Sequence, residues 1–436
     1  MVLPSLPPRD AYDVTIRRMN YPVSQTLRKI LELSMTPEEA QLLVELPPSP
    51  SVSSGTAGVT TALTGTVEAV AKKLNRDAKT VEAQLENMFQ IGLVREIPTP
   101  DGKRQYTRMD LIENLSDSMA HVIGARFLDH GEGELHKHTI RDDRWETVEN
   151  LWTKFFYEEW YRWERPHELV HRKVAIAGGA EAGRTFSITT CWKALEKSER
   201  LGTEVLPAWD LREMARKGEA KGIAAGACTC RTRARHCDRP VWVCGALIVG
   251  EESGIASWYV NDRRNLRKKF SGEEWLEDIG RFEEELGMVH LGGPGRKGCT
   301  CCNDCCNWLE PLQLYTEPWE GVHPTPYRAV GNTDVCEGCV KNCVPRCQFR
   351  AIKGQTDPSS GKVKAVVDLE KCIGCGQCVI GCPVEGAIKL DLAEKIKAPL
   401  SPIRARLKMP DKAIRRGNPF LAGKLPVSTD IADALR

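Results

Sequence analysis

The chain has 436 residues, enough for several domains, and its 41% hydrophobic and 28% charged residues are typical of a folded globular protein. The net charge of +2 excludes an overall field that would draw the protein to nucleic acid or to a membrane surface. No apolar run is long enough to cross a bilayer, and the proline-rich start lacks the apolar core of a secretion signal. The sequence therefore predicts a cytoplasmic protein without a transmembrane segment.

The predicted elements indicate an α+β fold made of five consecutive parts. In chain order these are an N-terminal extension (1–35), a winged-helix-like domain (36–110), a mixed, cysteine-rich central iron–sulfur domain (111–325), a two-cluster ferredoxin domain (326–391) and a basic tail (392–436). The tail has too little apolar periodicity to fold alone. We expect it to lie as a strap on a partner subunit or back across the ferredoxin domain.

The winged-helix-like domain is inferred from three helices followed by a hairpin. Thr36 and Glu39 form a capping box at the start of the first helix. Apolar residues at helical spacing predict the second and third helices over 66–74 and 79–91. A Pro-Asp-Gly-Lys turn then predicts the hairpin over 93–107. This order of elements resembles a winged helix.

The third of these helices occupies the position that reads DNA in a winged helix. It carries Asp77, Glu82 and Glu86 against Lys79 alone. Phosphate contacts require lysine and arginine, so an acidic helix would repel a duplex. A docking or dimerising role is therefore expected for the domain, and nucleic acid is not expected as a partner.

The chain between this domain and the cysteines offers no cofactor motif. Its aromatic helix is more typical of a core or a subunit contact than of a cofactor site. The aromatic residues are Trp152, Phe155, Phe156, Tyr157, Trp160, Tyr161 and Trp163. His130, His136 and His138 are expected to be exposed loop residues. The glycine-bearing segment Val174–Ala180 lacks the spacing of a dinucleotide site.

The 18 cysteines are unevenly distributed along the chain. None precedes Cys191, and all the others fall between Cys228 and Cys382. In a reducing cytosol, such crowding favours metal ligation over disulfides.

Two cysteine runs near the C-terminus have iron–sulfur spacing. The first run is Cys336, Cys339, Cys343 and Cys347, and the second is Cys372, Cys375, Cys378 and Cys382 followed by proline. Short spacings let the backbone wrap a [4Fe–4S] cube, and the last cysteine of each run reaches across to the other cluster. Cluster one is therefore assigned to Cys336, Cys339, Cys343 and Cys382, and cluster two to Cys372, Cys375, Cys378 and Cys347.

Other residues of the two runs are expected to shape the cluster sites. The glycines that would let backbone N–H groups approach the cluster sulfurs are Gly338, Gly374, Gly376 and Gly381. The residues expected to form an apolar jacket are Val335, Ile352, Val367, Ile373 and Ile388. The region Thr333–Leu390 resembles the two-cluster bacterial ferredoxins, which implies two [4Fe–4S] clusters. Zinc is the alternative, but it typically uses four cysteines in two CxxC knuckles.

Nine further cysteines form two patches in the central domain. They are Cys228, Cys230, Cys237, Cys244, Cys299, Cys301, Cys302, Cys305 and Cys306. A CxC pair cannot wrap a cube as CxxC does, so ligands must come from both patches. We expect at least one more iron–sulfur centre near Cys228, Cys230, Cys237 and Cys244, with ligands shared from 299–306. A zinc site that pins the fold, or a redox dithiol, remains an alternative.

Basic residues follow Cys230 closely in the sequence and are expected to offset cluster charge or to bind an anion. They are Arg231, Arg233, Arg235 and His236. The segment Leu206–Leu390 resembles uncharacterised iron–sulfur proteins of anaerobic bacteria and archaea, in which CxCR…CxxP…C and CNCCxCC segments precede a ferredoxin module.

The expected function is electron transfer, by an iron–sulfur subunit of an anaerobic oxidoreductase complex. No flavin or nicotinamide motif is visible, so a redox partner protein, such as a flavoprotein or another oxidoreductase subunit, would supply hydride chemistry. Two alternatives stay open. The protein could be a reductase with a catalytic central cluster or dithiol, favoured by a pocket beside His290, or a redox-sensing DNA-binding regulator. An oligomer is compatible with all three.

Overall fold

The fold is described by a computed structural model that covers most of the chain. The described residues are 7–19, 21, 24–49, 65–98, 104–129, 138–164, 186–248, 263–292, 298–310, 313 and 322–398. His130, His136, the segment Val174–Ala180 and most of the basic tail lie outside these ranges.

Helices make up most of the first half of the described chain and recur in the second half. They are α1 (Ala11–Arg18), α2 (Gln25–Ser34), α3 (Pro37–Glu45), α4 (Val67–Leu74), α5 (Ala78–Gln90), α6 (Ile112–Arg126), α7 (Asp143–Phe155), α8 (Trp192–Glu199), α9 (Leu211–Lys221), α10 (Thr229–Ala234), α11 (Gly272–Leu286) and α12 (Gln377–Gly381). A π-helical segment, Phe156–Glu164, continues α7, and a 3₁₀ turn, Pro207–Trp209, precedes α9.

Short strands connect the helices and form the cysteine-rich half. They are β1 (Val94–Pro98), β2 (Arg104–Arg108), β3 (Phe186–Thr189), β4 (Ile223–Gly226), β5 (Cys244–Ile248), β6 (Arg267–Phe270), β7 (Val289–Leu291), β8 (Cys299–Cys301), β9 (Val322–His323), β10 (Tyr327–Gly331), β11 (Ile352–Thr356), β12 (Val363–Val367) and β13 (Ile388–Leu392). The sheets are β1-β2, β8-β7-β3-β9, β5-β4-β6, β10-β13 and β11-β12. The mixture of helices and strands agrees with the predicted α+β class.

The helices and hairpin predicted for residues 36–110 are all present as α3, α4, α5, β1 and β2. The Thr36 hydroxyl accepts from the Glu39 N–H, and the Glu39 carboxylate accepts from the Thr36 N–H, so the predicted capping box is formed. Strands β1 and β2 pair antiparallel, with Glu96 opposite Tyr106.

One hydrophobic core joins the described helices from α1 to α7 and the π-helical segment that follows. It extends from Tyr12 in α1 to Trp160 and includes Val241. Helix α2 packs against α7, and Ser24 at its start donates a hydrogen bond to the Glu159 carboxylate at 3.0 Å. The expected boundaries at residues 35 and 110 therefore fall within a continuous core.

The acidic helix α5 contacts another part of the same chain. The Arg263 guanidinium pairs with Glu86 and, at 2.8 Å, with Glu96. The Arg264 guanidinium lies 4.3 Å from the centre of the Phe89 ring. The acidic side chain of Glu86 and the end of α5 are therefore used in an intramolecular contact.

The aromatic helix forms core, as its pattern indicated. Trp152, Phe155, Phe156 and Trp160 are at most 2% exposed and contact one another edge-on or at a tilt. The expectation of exposed histidines is wrong for His138. Its ring is buried, and Nε2 lies 2.8 Å from the Arg239 carbonyl oxygen, which fixes the loop that follows α10.

Glu149 in α7 makes the stability depend on pH. Burial raises the pKa of this carboxyl to about 8, since neither oxygen has a hydrogen-bond partner among the described residues. The folded state then keeps a proton that the unfolded chain releases above pH 4.5, so the free energy of unfolding falls as pH rises from about 4.5 to 8. We expect Glu149→Gln to flatten this decline, measured by anaerobic denaturant unfolding at pH 5 and pH 9.

The half-buried Glu146 gives the control for this prediction. Glu146→Gln should keep the decline of the parent protein. Equal pH profiles of the parent and Glu149→Gln would contradict a proton held at Glu149.

One of the cores in the last half of the described chain lies under the C-terminal strands. Helix α8 contributes Ala194 and Leu195 to the core beneath β10 and β13. Helix α11 is capped at its start by Ser271 and ends at Gly287, which has φ +63°. No helix in the described ranges is long and apolar enough to traverse a bilayer.

Candidate metal centres

The two C-terminal cysteine runs lie on loops that β10–β13 hold together. The thiols of Cys336, Cys343 and Cys382 are close enough to interact, and Cys382 also interacts with Cys339. These four cysteines line one cavity together with Val340 and other residues. We call them the cluster-one cysteines.

The other four cysteines form a second, more deeply buried group. Cys375 and Cys378 each interact with Cys372 and with Cys347 from the first run. Burial, with the neighbouring thiols, raises the pKa of both thiols. We call Cys347, Cys372, Cys375 and Cys378 the cluster-two cysteines. The last cysteine of each run therefore lies with cysteines of the other run.

The residues present fit iron–sulfur clusters. The cluster-one thiols surround an open space, and none of the eight sulfurs hydrogen-bonds another in this described region. Backbone N–H groups donate hydrogen bonds to two sulfurs of the cluster-two cysteines. Ala329 donates to Cys372 Sγ at 3.4 Å, and Ala351 donates to Cys347 Sγ at 3.3 Å.

The apolar jacket was predicted correctly except at one position. Ile352, Ile373 and Ile388 are buried, and Val367 is half-buried. Val335 is 40% exposed, because it precedes Cys336 in the surface turn at 332–335 rather than lying beneath the cluster.

The glycines of these loops are required for close packing as well as for backbone conformation. A Cβ on Gly374 would lie 2.1 Å from the Tyr327 carbonyl oxygen, at φ +79°. We expect Gly374→Ala to destabilise the protein by about 3 kcal/mol or more and to lower iron retention. The thermal midpoint and the iron content of anaerobic protein measure both effects.

Gly386 gives the matched control for this change. Its φ is also positive, at +76°, but a Cβ there would meet nothing within 4 Å. Gly386→Ala should cost about 1 kcal/mol and keep the iron. If the two variants were equally stable, the contact with Tyr327 would have no energetic role.

The nine central cysteines separate into two groups. The first, which we call the six-thiol site, is Cys228, Cys230, Cys244, Cys299, Cys301 and Cys306. Its thiols form a series in which each interacts with the next, from Cys244 through Cys299, Cys301, Cys306 and Cys230 to Cys228. The Gly245 N–H donates to Cys299 Sγ at 3.1 Å. Both sequence patches contribute to this site.

The second group, which we call the three-thiol site, is Cys237, Cys302 and Cys305, with Asp304 beside them. Cys237 Sγ lies 3.9 Å from Cys302 Sγ and 3.4 Å from Cys305 Sγ. An Asp304 oxygen lies within 4.8 Å of all three sulfurs. Cys237 is thus placed with Cys302 and Cys305, and not with Cys228, Cys230 and Cys244 as the sequence interpretation had it.

Strand geometry explains why adjacent cysteines belong to different groups. Side chains alternate along a strand, so Cys299 and Cys301 of β8 lie on one face. Cys302 comes next and turns to the other side, where it meets Cys305. The pairs Cys301–Cys302 and Cys305–Cys306 each contribute one thiol to each site.

Arg231 lies between the two central sites and is 1% exposed. Its NH2 donates to Cys302 Sγ at 3.5 Å, and its NH1 donates to the Pro240 carbonyl. Burial opposes the charge, but the thiolates of Cys228, Cys302 and Cys237 outweigh burial and raise the pKa of Arg231. A buried guanidinium needs negative partners, and thiolates that bind a metal ion would supply them.

The other predicted cations have different roles. Arg233 pairs with Asp117 at 3.2 Å, Arg235 hydrogen-bonds Asn150, and His236 lies 2.9 Å from the Asp304 carbonyl oxygen. Sequence reasoning missed Arg239, whose NH1 donates to Asp304 Oδ2 at 2.6 Å.

Cys191, Glu283 and His290 lie close together and are all buried. His290 Nε2 is 2.7 Å from the Glu283 carboxylate, and Nδ1 is 3.2 Å from the Thr300 hydroxyl. The Glu283 carboxylate also accepts the N–H groups of Trp192 and Lys193 at the start of α8. His290 is therefore 1% exposed with both ring nitrogens bonded, and it does not face an open pocket.

A comparison with protein families bears on the second cysteine run. A family model described as a 4Fe-4S binding domain matches residues 364–388, which include Cys372, Cys375, Cys378 and Cys382. The match supports an iron–sulfur domain in this part of the chain. No match was found among curated proteins or among solved structures. The match supports at least one [4Fe–4S] cluster in the protein.

Proposed function

We propose that the protein is an iron–sulfur electron-transfer protein that relays single electrons between redox partners. Each [4Fe–4S] cluster accepts and releases one electron when bound. In this proposal, the cluster-one and cluster-two cysteines hold one cluster each, and the six-thiol site holds a further iron–sulfur centre.

The observation that carries the proposal is a continuous apolar contact between the sites. Cys301 and Cys306 of the six-thiol site share one hydrophobic core with Cys375 of cluster two. Phe349 and Ile373 lie in the same core. The cluster-one and cluster-two cysteines are likewise joined through the core that contains Cys343, Cys372 and Cys378. Three sites in series would make a path for electrons through the protein.

The polypeptide tunes such sites through hydrogen bonds and charge. The Ala329, Ala351 and Gly245 N–H groups donate to ligand sulfurs, which stabilises added negative charge and raises the reduction potential. Lys197 lies near Cys382 and acts in the same direction at cluster one.

A reductase remains the second candidate, with a catalytic centre at the six-thiol site. Six thiols exceed the four that a standard cube uses, which favours an unusual cluster or a dithiol. A DNA-binding regulator has less support, since Arg263 already pairs with the acidic Glu86 of α5.

The experiment is a stepwise reductive titration of anaerobically purified full-length protein, followed by reoxidation with a viologen acceptor. We expect reversible uptake of about two electrons by the ferredoxin clusters and of more if the six-thiol site is loaded. Absence of reversible uptake by iron-loaded protein would refute electron transfer. If the reduced protein reduced a small-molecule substrate without any redox partner protein, the reductase would be favoured.

A further inference from the structure

We propose that the three-thiol site holds a single tetrahedral zinc ion, with Cys237, Cys302, Cys305 and Asp304 as its ligands. This ion would be separate from every iron–sulfur centre of the proposed function. The inference does not require the proposed function to be correct.

The sulfur–sulfur distances indicate one ion rather than a cluster. Tetrahedral thiolates on one zinc ion lie about 3.8 Å apart, given a zinc–sulfur bond of about 2.3 Å. Cys237 Sγ lies 3.4 and 3.9 Å from the other two sulfurs. In a [4Fe–4S] cube each thiolate binds its own iron, so ligand sulfurs must lie farther apart. The cluster-one cysteines, by contrast, line a cavity.

The chain spacing is also that of a zinc site. Cys302-Asn-Asp-Cys305 is a CxxC knuckle, and Cys237 comes from a distant loop. Two thiolates from the knuckle and the thiolate of Cys237 occupy three of the four coordination positions of a tetrahedral zinc ion, so one position needs another ligand.

Asp304 supplies the fourth ligand. Its Oδ2 accepts from Arg239, while its Oδ1 is buried with no hydrogen-bond partner among the described residues. A buried carboxylate oxygen without a partner is costly, and binding to a metal ion would satisfy it.

A divalent cation would balance the charges of the site once its three thiols are ionised as ligands. Three thiolates and one carboxylate bring four negative charges, and Arg231 and Arg239 supply two positive charges beside them. A zinc ion supplies the remaining two. Zinc accepts sulfur and carboxylate ligands in tetrahedral geometry, as this site offers.

Adjacent cysteines provide the test. Full-length protein is purified anaerobically, and zinc and iron are measured per chain for the parent, Cys305→Ser and Cys306→Ser. The proposal predicts about one zinc in the parent, near zero in Cys305→Ser and about one in Cys306→Ser. Retention of the ferredoxin iron shows that each variant is folded.

A conservative variant covers the case in which Cys305→Ser does not fold. Asp304→Asn should lose zinc to a chelator at least about tenfold faster than the parent, while Asn303→Ala should not. X-ray absorption at the zinc edge of the parent should show three sulfur ligands and one oxygen ligand.

Three results would overturn the proposal. They are a parent protein without zinc, a zinc content unchanged by Cys305→Ser, and iron at this site in place of zinc. An iron-free protein that still binds one zinc at this site would instead refute the proposed function and leave the zinc site standing.

Discussion

The double variant Cys347→Ala/Cys375→Ala is expected to lose about four irons per chain, the content of one [4Fe–4S] cluster. The two residues come from different runs, but Cys347 interacts with Cys375 in the structure. If both are ligands of cluster two, their joint removal destroys that cluster alone. The measurement is iron and acid-labile sulfide per chain on anaerobic protein.

The matched variant is Cys343→Ala/Cys347→Ala, which removes two cysteines of the same run. Cys343 interacts with Cys336 and Cys382, in the other group. This variant should damage both clusters and lose up to about eight irons. The reverse result, with the larger loss for Cys347→Ala/Cys375→Ala, would mean that each run holds its own cluster.

Replacement of Arg231 by methionine is expected to destabilise the central domain by about 3–5 kcal/mol, because it leaves buried thiolate charge uncompensated. Methionine is apolar and of similar length, so the lost charge is the main change. Arg231 interacts with Cys228 of the six-thiol site and with Cys302 of the three-thiol site, so both sites should release metal faster. The measurements are the thermal midpoint and the rate of metal transfer to a chelator.

Arg216 is the control for this change. It is 69% exposed and pairs with Glu213 on the surface of α9. Arg216→Met should change stability by less than about 1 kcal/mol and leave metal release unaltered. A metal release rate in Arg231→Met equal to that of the parent would show that the thiols beside Arg231 are not charged.

Local patterns in the sequence predicted much of the fold. The capping box at Thr36 and the buried aromatic helix follow from rules that act over a few residues. The CxxC spacings of the second run are equally local, and the family match covers that run. Such features depend on short-range geometry, which spacing expresses directly.

The errors arise where distant segments meet. Spacing does not reveal that Cys237 meets Cys302 and Cys305, or that Arg239 reaches Asp304, because these contacts join loops about 65 residues apart. The division of the central cysteines into two sites could be predicted in part from the sequence, because side chains alternate along a strand and Cys301 and Cys302 therefore point to opposite sides. The packing of the N-terminal extension against α7 depends on tertiary contacts that no local signal in residues 1–35 indicates.

The most direct test of the iron–sulfur account is the amount of iron and acid-labile sulfide per chain in anaerobically purified, full-length protein. We predict at least about eight irons with an equal amount of sulfide, and about twelve if the six-thiol site holds a standard cluster. Protein that contains neither iron nor sulfide under strict anaerobiosis, with zinc bound at the ferredoxin cysteines, would contradict the account.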